Sequence, residues 1–271
     1  MRVDFHCHTN CSDGELSPAE LIELAKHNSL KILAITDHDN ADSFNLVDKK
    51  NLGDVQLISG IEFSTTWNKI GVHIVGLNFD VKSKSIQNAI TSQKIFRDNR
   101  AKIISQKLEK CGLQNAYDKI IETNITQIGR PDFAKLLVEE GICKDPQLAF
   151  KKYLGTGKIG DIKNQWLNFN EIINVIKKAG GIAVLAHPLA YKLTNSKLKR
   201  LISDFKLLGG DAMEIINGFQ NLEKIKYLKD LCKEFNLKAS IGSDFHRHNN
   251  WTKLGCDTKL VSNIETVWDV F

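Results

Sequence analysis

The chain has 271 residues, enough to bury a sizeable core in one α/β barrel or in a core domain with an insertion. Its 42% hydrophobic and 25% charged content is that of a globular protein, and no apolar stretch approaches the roughly 20 residues that span a bilayer. A net charge of +5 favours acidic ligands slightly and falls short of a nucleic-acid-binding signature, so lysines such as Lys49, Lys50, Lys151, Lys152, Lys177 and Lys178 read as solvated helix faces.

The opening Met-Arg-Val-Asp-Phe-His lacks the apolar run and small-residue cleavage site of a signal peptide, which predicts a cytoplasmic protein. Six cysteines are scattered with no C-x-x-C pair, so they read as reduced thiols rather than a disulfide framework or a zinc ribbon. After the stretch HCHTNCSDG at 6–14, Ser17-Pro18-Ala19-Glu20 supplies a capping serine, a proline at the first helical position and a glutamate three after the cap. A helix follows, with Leu21, Ile22, Leu24 and Ala25 as its apolar stripe. The run 31–36 is short, apolar and rich in β-formers, and comparable runs stand at 55–61, 72–77, 182–186, 212–216 and 238–241. Helical patterns precede several of them, among them 171–179, closed by Gly180-Gly181, and 222–235.

Strands alternating with helices imply a mostly parallel sheet, and about seven such units imply barrel-like closure. Between 81 and 164 the rhythm changes to helices alone, near 85–110, 116–122, 132–140 and 146–153. The expected organisation is an α/β barrel over 1–80 and 165–271, interrupted by a helical insertion at 81–164 that caps the site. No internal repeat or low-complexity linker is present.

Residues i and i+2 of a strand share a face, so His6 and His8 project together while Cys7 points away. Other candidates close apolar runs: His38, Glu62, His187, and the pair Asp244 and His246; His73 lies inside its run. Such strand ends are where barrel enzymes gather their working groups. A lone strand histidine is usually structural and a lone aspartate after a strand usually caps a turn. As a set, with Asp13, the nine side chains are too many imidazoles and carboxylates at one rim to do without metal. Mixed imidazole and carboxylate ligation suits Zn, Mn or Fe, and nine candidates imply two or three ions in a catalytic site fitted to phosphoester hydrolysis.

The motifs H-x-H-T-x-x-S-D-G at 6–14, T-D-H-D at 36–39, G-I-E at 60–62, A-H-P at 186–188 and G-S-D-F-H at 242–246 resemble the PHP family, named for polymerase and histidinol phosphatase domains. The resemblance runs in order along the whole chain. It is closest to the stand-alone phosphoesterases acting on nucleoside 3′,5′-bisphosphates or, as 5′–3′ exoribonucleases, on short 5′-phosphorylated RNA. It implies a distorted seven-stranded, TIM-like β/α barrel with a helical insertion. It also implies a trinuclear site: one metal on His6, His8, Glu62 and Asp244, a second on Glu62, His73 and His187, and a third on Asp13, His38 and His246.

In the implied mechanism a metal-bound hydroxide attacks phosphorus in line, with no covalent enzyme intermediate. Asp37 would orient a ligand histidine or cap the following helix. Arg130, in Gly-Arg-Pro-Asp-Phe-Ala, resembles the family's phosphate-binding arginine, although Asp132 stands where relatives commonly have histidine. Arg247 and His248 replace expected small residues and could add phosphate contacts. Histidinol-phosphate phosphatase is the rival activity, disfavoured by Asp13 where that group commonly has histidine; a non-catalytic, metal-stabilised nucleic-acid-binding module is the rival without chemistry. No obligate protein partner is readable.

Overall fold

The computed structural model describes residues 1–123, 127–163, 166–218, 220–248 and 252–271. It divides into two compact units, Met1–Ile90 with Leu167–Phe271, and Thr91–Trp166. The boundary expected at 164–165 falls outside the described residues. Among those residues no helix is long and apolar enough to cross a membrane.

In the first unit, β1 (Arg2–Asp4) leads to α1 (Pro18–His27), where Ser17 and Glu20 form the expected capping box and Pro18, Leu21, Ile22 and Ala25 are buried. Next come β2 (Ile32–Ala34), the short α2 (Asp42–Leu46), β3 (Gln56–Ile58), β4 (Gly60–Trp67) and β5 (Ile70–Leu77). The apolar run at 55–61 is therefore split between two strands. Gly60 is the switch point, because a Cβ there would stand 2.5 Å from the Ile35 carbonyl oxygen. Helix α3 (Lys84–Glu109) begins in this unit and continues into the second. There α4 (Ala116–Ile121), α5 (Arg130–Glu139) and α6 (Pro146–Ala149) bury Leu108, Leu113, Phe133, Leu137 and Leu154 in a core of their own.

The chain returns through α7 (Phe169–Lys178), β6 (Ile182–Leu185), α8 (Asn195–Leu207), β7 (Ala212–Asn217), α9 (Leu222–Glu234), β8 (Lys238–Gly242) and β9 (Cys256–Asp257). Helices α7, α8 and α9 each bury an i, i+3, i+4 stripe in the core, as Phe169, Ile172 and Ile173 do on α7.

The strands form two sheets, ordered β3-β2-β1-β9 and β4-β5-β6-β7-β8, and not the single closed barrel sheet that the alternation implied. Pairing is also more mixed than expected, since β5 runs antiparallel to both β4 and β6. The cause is a hairpin: Asn68 (φ 45°) and Lys69 (φ 65°) make a two-residue turn with both residues left-handed, the geometry that suits the twist of paired strands. Single backbone bonds link the sheets edge to edge. Phe5 donates to Ile241 at 3.1 Å, Asp244 to His6 at 2.7 Å, and Asp39 to Glu62 at 2.8 Å.

Gly242 permits one of these close approaches: a Cβ would lie 2.3 Å from His6 Cβ and 2.8 Å from its backbone nitrogen. Gly242→Ala is expected to destabilise the protein by about 1–3 kcal/mol in urea unfolding. Gly71→Ala, where nothing lies within 4 Å, should change stability by less than about 0.5 kcal/mol.

Candidate metal centre

His6 and His8 sit just beyond β1, where Cys7 bridges to Phe245 and turns its thiol to the Ala34 carbonyl, away from both imidazoles. His38 lies beyond β2 and His187 beyond β6, Glu62 and His73 lie within β4 and β5, and Asp244 and His246 follow β8. The structure brings all nine candidate side chains into one cluster.

Glu62, 1% exposed, is its centre. Its Oε1 lies 2.7 Å from His73 Nδ1 and 2.9 Å from His187 Nε2. Its Oε2 lies 2.9 Å from His38 Nδ1, 3.3 Å from His6 Nε2 and 3.4 Å from His8 Nε2. Asp244 Oδ1 stands 3.3 Å from His8 Nε2 and 3.5 Å from His6 Nε2. Asp13 closes the far side, 3.3 Å from His246 Nε2 and 3.7 Å from His38 Nε2. Four overlapping groups have the spacing of metal ligands: His8, Asp13, His38 and His246; His6, Glu62 and His187; His6, His8 and Asp244; and His38, Glu62 and His73.

The electrostatics are those of groups forced together in a dry place. Burial opposes the charged form of Glu62, but the imidazoles of His73, His38 and His6 hold its carboxyl well below the usual range. Burial likewise opposes charge on Asp244, which His6 and His8 hold well below its ordinary value. Burial and the neighbouring His246 push His8 down to about 4, while Asp13 overcomes the burial of His246 and lifts it to about 9. Among the buried ring nitrogens of the cluster, His6 Nε2, both of His8 and His187 Nδ1 make no hydrogen bond. Buried polar atoms are normally satisfied, so this donor set of imidazole nitrogen and carboxylate oxygen fits divalent metal ions.

Asp37 acts differently from either expected role. Its carboxylate accepts from Thr9 N at 2.7 Å, Thr9 Oγ1 at 2.6 Å and Ser12 Oγ at 2.6 Å, and so ties down the loop that carries Asp13; no ligand histidine is bonded to it. Asp132 accepts from Gly129 N at 2.7 Å as an N-terminal cap of α5, and Arg130 Nη1 donates to the Leu154 carbonyl at 3.2 Å. Exposed Arg247 lies 3.8 Å from Glu15, and His248 packs its ring edge-on to Phe245.

Sequence reasoning missed Glu214 and Tyr191. Glu214 is bonded to His6 and to the His187 backbone; the Tyr191 hydroxyl accepts from His73 N at 2.9 Å and donates to the Ala186 carbonyl at 2.9 Å. Glu214 had a legible signal, an acid inside the apolar run 212–216, whereas Tyr191 had none.

Imidazoles and carboxylates converging where parallel and antiparallel strands meet form a site able to bind divalent metal ions. The chain belongs to the PHP domain family, whose model matches residues 4–182, and it is a phosphoesterase of that family. It is 40% identical to a 5′–3′ exoribonuclease of Haemophilus influenzae over 100% of this chain and 99% of that protein. It is 34% identical to a 3′,5′-nucleoside bisphosphate phosphatase of Chromobacterium violaceum, over 90% of this chain and 87% of that protein. Among solved structures, an amidohydrolase from Chromobacterium violaceum with bound sulfate and no metal superposes with a TM-score of 0.87 and 31% identity, covering 98% of this chain and 94% of that one.

Two outcomes are expected at this site. Excess Zn²⁺ or Mn²⁺ should raise the melting temperature and a chelator reverse it, a stabilisation of about 2.7 kcal/mol at a hundredfold excess over Kd. Asp37→Ala, which deletes three hydrogen bonds to a buried acceptor, should cost about 2–5 kcal/mol in chemical unfolding.

Proposed function

We propose that this chain hydrolyses phosphate esters of nucleotides, either nucleoside 3′,5′-bisphosphates or short 5′-phosphorylated RNA, at a centre of three divalent ions. The observation that carries the reading is Glu62, a buried carboxylate whose two oxygens face different histidines. Oε2, near His6 and His8 with Asp244 beside them, suits one ion; Oε1, near His73 and His187, suits a second. Asp13, His38 and His246 would hold the third; His38 turns Nδ1 to Glu62 and Nε2 toward Asp13, so it stands between sites. Zn, Mn and Fe all suit these ligands.

Bound there, such ions supply a nucleophile from water at neutral pH and neutralise charge on the phosphoryl group. The chain's own part is to set their number and position. Only three carboxylates, Asp13, Glu62 and Asp244, stand among the nine ligands, so three divalent charges leave a positive surplus that draws a phosphate in. Substrates of this class agree with the names of the Haemophilus influenzae and Chromobacterium violaceum relatives.

Phosphate release from adenosine 3′,5′-bisphosphate, from 5′-phosphorylated RNA oligomers and from histidinol phosphate, each with Mn²⁺, Zn²⁺ or Fe²⁺, tests the reading. The nucleotide substrates should be preferred, and Asp244→Asn should lose more than the roughly 10- to 100-fold that partners outside the ligand shell cost. Preference for histidinol phosphate, or full activity of Asp244→Asn, overturns it.

A further inference from the structure

Glu214 is 1% exposed, on a strand otherwise built of Ala212, Met213, Ile215, Ile216 and Asn217. A carboxylate in such surroundings is costly unless its oxygens are fully engaged. They are. Oε1 lies 2.6 Å from His6 Nδ1, and Oε2 accepts from the His187 backbone N–H at 2.6 Å and from Asn217 Nδ2 at 3.3 Å.

The strand is deformed where this happens. The ladder between β7 and β8 shifts register between Glu214 and Ile216, an irregularity that re-aims side chains. Residues three apart in a regular strand point to opposite faces, yet here Asn217 reaches Glu214 on the same side. His187, for its part, has φ 27°, a backbone conformation that a residue with a side chain keeps only when its surroundings hold it.

We propose that Glu214 is a positioning residue for two ligands at once, fixing the ring of His6 through one oxygen and the backbone of His187 through the other. With the Nδ1 proton of His6 donated to Glu214, the lone pair of Nε2 faces Glu62 at 3.3 Å and Asp244 at 3.5 Å, where it makes no hydrogen bond. His6 and His187 lie with ring centroids 5.6 Å apart and belong to different ions in the assignment above. One carboxylate therefore sets the spacing between two metal positions. Three donors around a single acceptor group make its charge, and not only its size, part of that role.

This inference rests on the metal-centre reading, and its test separates the two. Zn²⁺ affinity is measured by chelator competition for the wild type, Glu214→Gln and Glu214→Asp, well below the melting temperature of each protein. Both variants should bind Zn²⁺ about 10- to 100-fold more weakly. In ¹⁵N spectra of the zinc-loaded proteins, the His6 Nδ1 proton should be protected from exchange in the wild type and exchange faster in the variants. A purely structural role would lower the melting temperature and leave affinity and proton exchange alone. If Glu214→Gln does not fold, Glu214→Asp, which keeps the charge but withdraws it by one methylene, carries the comparison. Wild-type affinity and proton exchange in a folded variant overturn the role of Glu214. A wild type that binds no Zn²⁺ overturns the metal reading itself.

Discussion

Everything else in the first unit follows from the demand that Glu62 be buried against five imidazoles within 3.4 Å of its oxygens. No packing of apolar side chains satisfies such a group, and loosely held imidazoles would turn away to find water. The backbone around it must therefore be held more firmly than strand pairing alone can manage. Regular pairing ends two residues before His6, His187 and Asp244, and buried acids take over its work there.

Asp4 accepts from the backbone N–H groups of His6 at 3.1 Å, Ser243 at 2.9 Å and Gly255 at 2.7 Å. Asp39 accepts from Ser64 N at 2.7 Å, on the strand that bears Glu62. With Asp37 and Glu214 these make a set of carboxylates that accept from main-chain N–H groups near the cluster, Glu214 engaging the His6 imidazole as well. Burial raises the Asp4 carboxyl to about 6 against the pull of its hydrogen bonds.

Much of this was legible in the sequence. The alternation of H-x-H and the recurrence of histidine or acid after apolar runs follow from the two-residue period of strands, so the nine cluster residues could be picked out one by one. The capping box at Ser17 and the helices α7 and α9 were equally plain, because capping and periodicity are local. What escaped is what depends on distant partners. The hairpin turn at Asn68-Lys69 lacks the glycine that usually announces left-handed residues, so β4 and β5 did not read as antiparallel. The split of 55–61 into β3 and β4 is set by a clash with Ile35, invisible without the neighbouring strand. Asp37 finds its partners 25 and 28 residues earlier, and Glu214 finds His6 at a separation of 208.

The bond from Ser243 to Asp4 joins residues 239 apart, and its consequence is temporal. During synthesis His6 and His8 emerge long before two of the acids that flank them, Glu214 and Asp244. Until then the early histidines have Asp13 and Glu62 beside them but lack Asp244 and Glu214. Contacts of such long range also slow the final folding step, since the entropy of closing the loop is lost before the contacts form. The set of side chains able to hold divalent ions is thereby complete only once the residues that follow β8 have reached those that follow β1.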